Sequence, residues 1–189
     1  MQGKSIRTKC GKSIKADLIL AGIGVIPAIS LAAEAGIKCE NGILVNEFQQ
    51  TSLSNIYAIG DCANHFNIFA QKNIRLESVQ NAVDQAKVAV NHILGKSEPY
   101  ITVPWFWTFQ YHLKLQMAGI STGFDRYILR GDVNSGKFSV YYFKNEQLIA
   151  VDSLNKAAEH LNARKLLTAK ISPNNEQLVG TDFNLNEIV

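Results

Sequence analysis

Residues 51–61, TSLSNIYAIGD, constrain the fold of this chain more than any other segment. Within them, residues 56–59 form an apolar run of β-forming side chains, which predicts a short strand. Gly60 then ends the strand and lets the backbone approach whatever lies beyond it. Asp61 presents a carboxylate at the carboxyl end of the strand, which is where ligands bind in open α/β sheets. The segment therefore predicts an α/β domain with a ligand site at Gly60 and Asp61.

A helix is expected soon after this carboxylate, extending to Gly95. Apolar residues such as Val83 and Val90 recur at helical spacing, and Ser78 stands where an N-cap would stand. The backbone N–H groups just after Ser78, beginning with that of Val79, have no partner inside a helix and carry the positive end of its dipole. A carboxylate and bare amides together suit a ligand with a polyol arm at one end and a carbonyl-rich ring at the other.

The remaining elements before residue 100 are short and alternate in type. They are expected to be a polar β-hairpin over residues 5–14, a strand over 16–21, a helix over 29–35, a strand over 42–45 and a loop over 63–73.

From about residue 101 the pattern becomes that of an antiparallel sheet with one packed helix. Residues 138–143 and 148–152 are apolar and flank a polar turn, which predicts a hairpin. Residues 157–168 predict an amphipathic helix with Leu161, Leu166 and Leu167 turned inward, followed by a polar, extended tail. The combination predicts a small α+β domain.

Composition narrows the class of partner. The net charge is +3 and only 19% of residues are charged, which does not suit a nucleic-acid-binding protein. No apolar run is long enough for a membrane helix, so we expect no membrane contact. Cys10, Cys39 and Cys62 form no CxxC pair, and we expect reduced thiols in a cytoplasmic protein. The histidines lack metal-ligand spacing, and no metal site is expected.

Three motifs in collinear order resemble the FAD-dependent, pyridine-nucleotide-linked ferredoxin and rubredoxin reductases, the putidaredoxin reductase-like family. They read TSLSNIYAIGDCA, IRLESVQNAVDQAKVAVNHILG and VPWFWTFQY, and the resemblance covers nearly the whole chain. It implies the remnant of a doubly wound FAD/NAD(P)-binding α/β fold, followed by a small α+β C-terminal domain. Residues 1–26 would end the NAD(P)-binding domain, 27–100 would complete the FAD-binding domain, and 101–189 would form a domain for dimerisation or partner contact.

The resemblance also implies an activity and a cofactor. Electrons would pass from NAD(P)H through FAD to an iron–sulfur ferredoxin or a rubredoxin, in a possible homodimer. Asp61 would bind a ribityl hydroxyl of FAD, and Gly60 would let the backbone come close to the cofactor. The Val79 amide, one residue past the Ser78 cap, would face the carbonyl edge of the flavin. Trp107 would stack near the isoalloxazine ring. No side chain of this segment need act as an acid or base.

Two departures from the family pattern stand out. The family typically reads WSDQ where this chain reads Trp107-Thr108-Phe109-Gln110, so the side of the site that faces the redox partner is expected to differ. Neither GxGxxG phosphate-binding turn is present, because Pro27 stands where the last glycine after Gly22 and Gly24 would be. We therefore expect a fragment of a longer enzyme, inactive by itself.

Plainer interpretations remain open for each residue. Asp61 could cap a turn, Val79 could be an ordinary helix start, and Trp107 could be core. Glu77 could pair with Arg75 or a lysine, or lie near the nicotinamide.

The basic surface and the role of the whole protein each allow more than one interpretation. Lys114, Arg126 and Arg130 could form a rim for an acidic ferredoxin or simply be solvated. The protein could be a non-enzymatic interaction module, or a related flavoprotein whose acceptor is a quinone, a nitrite-reductase module or peroxide.

Overall fold

The computed structural model describes residues 4–180 and 184–188. Strands β1 (Lys4–Arg7) and β2 (Ser13–Ala16) pair antiparallel, which confirms the first hairpin. The strand expected over residues 16–21 is wrong, because β2 ends at Ala16 and no described strand lies beside the residues that follow it. Their side chains are bare, with Leu20 and Ile23 each 93% exposed. A strand forms only where a neighbour completes its hydrogen bonds.

A three-stranded sheet follows the short helix α1 (Ser30–Glu34). It has the order β3-β4-β5, in which β3 and β4 are parallel while β4 and β5 are antiparallel. Its strands are β3 (Ile43–Val45), β4 (Ala63–Asn67) and β5 (Lys72–Arg75).

Two expectations about this region are wrong. The loop expected over residues 63–73 is the β4–β5 hairpin, because β4 finds partners on both sides. The strand expected over residues 56–59 is reduced to one bridge between Tyr57 and Gln50. Because only one of its residues pairs, this extended segment does not become a strand of a sheet.

Helix α2 (Val79–Ile93) begins where the sequence predicts. The Ser78 hydroxyl accepts a hydrogen bond of 3.1 Å from the Asn81 amide, as an N-cap does. The buried face of α2 carries Asn81, Gln85 and Ala89. This face is unusually polar, and the Gln85 side chain bonds to Gly60 in the turn that precedes β4.

The C-terminal region is an antiparallel sheet of five strands in the order β6-β7-β10-β9-β8. Helix α3 (Ala157–Ala169) packs on β7 and β10, and together they confirm the expected α+β domain. Tyr141, Phe143 and Leu166 lie fully buried at the centre of its core. The strands are β6 (Trp105–Gln110), β7 (Leu113–Gly119), β8 (Arg126–Asp132), β9 (Lys137–Lys144) and β10 (Gln147–Leu154).

Helix α3 and the tail differ in part from expectation. Leu166 and Leu167 are buried, but Leu161 is 55% exposed and does not face the core. The tail is not simply extended, because α4 (Asn175–Val179) begins with a reciprocal capping box and a 3-10 turn spans Leu185–Ile188. Residues 181–183 and 189 of the predicted tail lie outside the described residues.

Arg130 joins α4 to the sheet instead of lying on a basic rim. It is only 6% exposed, and its Nε lies 3.3 Å from Oε1 of Glu159 on α3. Its Nη1 donates to the backbone oxygens of Leu178 and Gly180, at 3.1 and 2.6 Å. A guanidinium that makes these contacts is committed to the interior, so the expectation that Arg130 contributes to a surface rim is wrong.

In the described part of the chain, no helix combines the length and apolarity that crossing a membrane requires.

Candidate functional site

Gly60 and Asp61 form a tight 3-10 turn immediately before β4. Gly60 has a φ of 75°, a conformation that side chains disfavour. A Cβ placed on Gly60 would also meet the Cβ of Ala82 at 3.4 Å, since the turn packs on α2. Asp61 is exposed, and its carboxylate makes no hydrogen bond or ion pair with the described residues. That carboxylate is free to accept hydrogen bonds from a ligand.

The start of α2 offers donors near this carboxylate. The Ser78 hydroxyl takes the Asn81 amide, which leaves the Val79 and Gln80 amides without an acceptor among the residues described. The Asn81 side chain donates to the carbonyl of Leu76 and accepts from the hydroxyl of Tyr100, at 3.1 and 2.9 Å. These buried bonds fix the direction from which the chain enters the helix, and hence where its first amides point.

Arg75 connects the two parts of the site. Its Nη1 donates to the Asp61 carbonyl oxygen at 2.8 Å and lies 2.6 Å from Oε1 of Glu77. Of the roles expected for Glu77, the structure therefore shows the first, a pair with Arg75. A direct contact between Glu77 and a cofactor stays a prediction.

The two parts of the site are also the two ends of one hairpin. Asp61 lies just before β4, and Ser78 lies just after β5. Because the hairpin returns the chain to its starting point, the carboxylate and the helix amides come to the same region, and the turn Gly60–Cys62 contacts α2.

Sequence reasoning missed Gln85, which organises the interior of the site. It is fully buried, and its Oε1 accepts the Gly60 amide at 2.7 Å. Its Nε2 therefore faces His65, whose Nδ1 lies 3.2 Å away and must accept. Burial lowers the pKa of His65 and keeps the ring neutral, as this acceptor role requires. The signal that could have revealed this role is a glutamine on the face of α2 that becomes buried.

Trp107 lies half-buried on β6, a strand that contacts α2. Its ring lies 5.3 Å from that of Trp105, and the two planes are inclined by 31°. Trp105 in turn lies 5.5 Å from the ring of His160 on α3. Trp107 thus belongs to the strand of the C-terminal sheet that contacts α2, and a stacking role over a ligand stays a prediction.

Two family models match the chain, one in each half. Residues 2–86 match the model described as pyridine nucleotide-disulphide oxidoreductase, and residues 105–189 match the one described as reductase C-terminal. Rhodocoxin reductase of Rhodococcus erythropolis is 46% identical over 180 residues, which are 95% of this chain and 42% of that protein.

Solved structures agree with these matches. The ferredoxin reductase for the CYP199A2 system from Rhodopseudomonas palustris is 38% identical and gives a TM-score of 0.92 over 97% of this chain and 46% of that one. The reductase in the covalent putidaredoxin reductase–putidaredoxin complex is 38% identical and gives 0.88 over 95% and 43%. These likenesses confirm the expected fold class. The chain spans less than half the length of each of these proteins.

Proposed function

Because this chain belongs to the pyridine nucleotide-disulphide oxidoreductase family and carries its reductase C-terminal region, we propose that it works as the C-terminal part of an FAD-dependent NAD(P)H:ferredoxin or rubredoxin oxidoreductase. The division into residues 1–26, 27–100 and 101–189 is part of this proposal. The observation that supports it is the exposed Asp61 carboxylate in a turn that contacts α2, the helix that begins with the bare amides of Val79 and Gln80.

These groups fit FAD in their chemistry. The Asp61 carboxylate would accept hydrogen bonds from ribityl hydroxyls, and Gly60 would let the backbone come close to that arm. The Val79 amide would donate to the carbonyl edge of the flavin, where the positive end of the α2 dipole favours an electron-rich ring. Ser78 holds that amide in place, and Trp107 would cover the ring and exclude water.

The chemistry that FAD would supply when bound is to accept a hydride from NAD(P)H and to release electrons one at a time. The side chains of this segment bind, orient and shield the cofactor, and none is needed to move a proton. The acceptor would be an iron–sulfur ferredoxin or a rubredoxin, in keeping with the reductase–putidaredoxin complex among the similar structures. We further propose a cytoplasmic location, consistent with three free cysteines, and a homodimer as a possible assembly.

A chimera tests this proposal directly. This chain would replace the matching C-terminal part of rhodocoxin reductase, to which it is 46% identical. We expect the chimera to purify with bound flavin and to reduce an iron–sulfur acceptor with NADH or NADPH. Asp61→Ala should lower the flavin content, whereas Asp132→Ala, at the far end of β8, should not. A folded chimera that holds no flavin, or one that Asp61→Ala leaves unchanged, would contradict the proposal.

One observation favours a second candidate, a non-enzymatic interaction module. The C-terminal sheet, α3 and α4 share a core of their own, and Phe69 alone among the core-packing residues comes from before residue 100 in the part described. A colourless chimera that still binds a ferredoxin would support this second candidate.

A further inference from the structure

A cleft of about 910 Å³ lies between the tip of the β4–β5 hairpin and one end of the five-stranded sheet. Its apolar walls include Phe69, Ile120, Leu148 and Leu167, and Phe69 also packs against the C-terminal core. A volume of this size suits a small-molecule ligand. The cleft is separate from Asp61 and Val79, which lie at the opposite end of the hairpin.

Three lysines from different elements surround the cleft. Lys72 comes from β5, Lys144 from the end of β9, and Lys170 from the C-terminus of α3. Among the described residues, no aspartate or glutamate lines the cleft, so this lining carries three formal positive charges. None of the three ammonium groups makes an ion pair with a described residue.

Two acids, Glu146 and Asp125, bind groups next to residues of this lining. Glu146 lies 2.8 Å from Arg126, outside the cleft, and the Asp125 carboxylate accepts the Asn145 amide at 2.7 Å. Glu146 is therefore paired with Arg126 and not with Lys144, while the hydrogen bond to Asp125 fixes the direction of that carboxylate without cancelling its charge. The lining itself keeps three lysines that are not ion-paired with any described residue, and these can take the anionic part of a ligand.

Lys144 extends over the cleft towards the loop that follows β7. Its Nζ lies 3.6 Å from the point that a Cβ on Gly123 would occupy, so the ammonium group lies against the backbone of that loop. Thr122 and Gln147 add neutral polar side chains to the same lining, and neither makes a side-chain hydrogen bond with the described residues. Charged and neutral donors thus converge above an apolar wall.

We propose that this cleft binds a small amphipathic polyanion, a molecule that carries two or more negative charges on a planar, apolar body, as a nucleotide does. The ammonium groups of Lys72, Lys144 and Lys170 take the anionic end, and the apolar walls take the body. A purely inorganic anion would leave the apolar walls uncovered, and an uncharged aromatic compound would leave the lysines without a partner. The site is independent of the proposed flavin contacts.

Calorimetry on the 189-residue chain tests the proposal with three probes: ATP, inorganic tripolyphosphate and adenosine. We expect ATP to bind more tightly than either other probe, and to shift the NMR signals of the amides of Gln71, Lys72 and Gly123. Lys144→Gln and Lys170→Gln should each weaken ATP binding about fivefold, the effect of removing one charge close to another in water. Lys165→Gln, on an exposed position of α3, is the matched control and should change nothing.

Several results would overturn the proposal. They are no ATP binding at millimolar concentration, equal binding of ATP and tripolyphosphate or of ATP and adenosine, and equal loss in the control variant. Shifts centred on Val79 instead of Gln71 would place ATP in the proposed flavin site. Because the probes are added without flavin, these results do not depend on whether the chain supports electron transfer.

Discussion

At the scale of single residues, His160 shows how burial sets a charge. Its imidazole is 1% exposed, and burial, with help from Arg164 and Lys114, lowers its pKa from 6.5 to about 4. Between these values the unfolded chain binds a proton that the folded chain rejects. The free energy of unfolding therefore falls as the pH drops from 6.5 to about 4, and is regained as the pH rises.

His160→Gln should remove most of this loss. A shift of this size corresponds to about 3 kcal/mol across the window, so the variant should show a flatter profile of unfolding free energy against pH. Urea unfolding at a series of pH values measures it. His112→Gln, at an exposed position, should keep the parental slope. An unchanged slope in His160→Gln would show that the ring is not held neutral.

Asp152 gives the opposite dependence. Burial raises the pKa of this carboxyl above its ordinary 3.8, against the lowering effect of a 3.0 Å hydrogen bond from the Tyr142 hydroxyl. Stability is therefore lost as the pH rises through the raised pKa, because the charge must then be buried. Asp152→Asn keeps an acceptor for Tyr142, and its advantage in unfolding free energy over the parent should grow from pH 3 to pH 7. A constant difference over that range would disprove the burial argument.

At the scale of elements, the start of α2 depends on Ser78. Replacing Ser78 with Ala removes the hydroxyl that accepts the Asn81 amide and should cost about 1 kcal/mol of unfolding free energy. Ser78→Asn, which can also cap a helix, should cost much less. In the rhodocoxin reductase chimera, Ser78→Ala should also weaken flavin retention, since the Val79 amide loses its fixed direction. A loss of stability without any change in flavin content would confine Ser78 to a structural role.

The elements that sequence predicted well are those whose signals are local. The cap at Ser78, the hairpin around Lys144 and Gln147, and α3 follow from periodicity and turn residues close in the chain. The predicted strand at 56–59 and the missed β4–β5 hairpin depend on which segments find partners across the fold, and the sequence does not show this. The role of Gln85 was not predicted for the same reason, because it depends on hydrogen bonds to Gly60 and His65, which lie far from Gln85 in the sequence.

At the scale of the whole molecule, Arg130 joins β8, α3 and α4. Arg130→Met should cost about 3 kcal/mol, the low end for a broken buried pair, because Glu159 keeps a 2.8 Å ion pair with Lys156 while the carbonyls of Leu178 and Gly180 lose their donor. Arg126→Met, which breaks an exposed pair with Glu146, should cost about 1 kcal/mol or less. Chemical denaturation of the two variants compares them directly. Similar losses in both would show that the buried network contributes little to the fold.

The two features of the proposed flavin site, the Asp61 carboxylate and the first amides of α2, belong to one short stretch that runs from Gly60 through the β4–β5 hairpin to Gln80. Distant parts of the chain need not be brought into register for the carboxylate and the helix amides to meet. The stretch can therefore pass between proteins as a unit. Recombination outside it transfers the carboxylate and the helix amides together, whereas a crossover within the hairpin separates them.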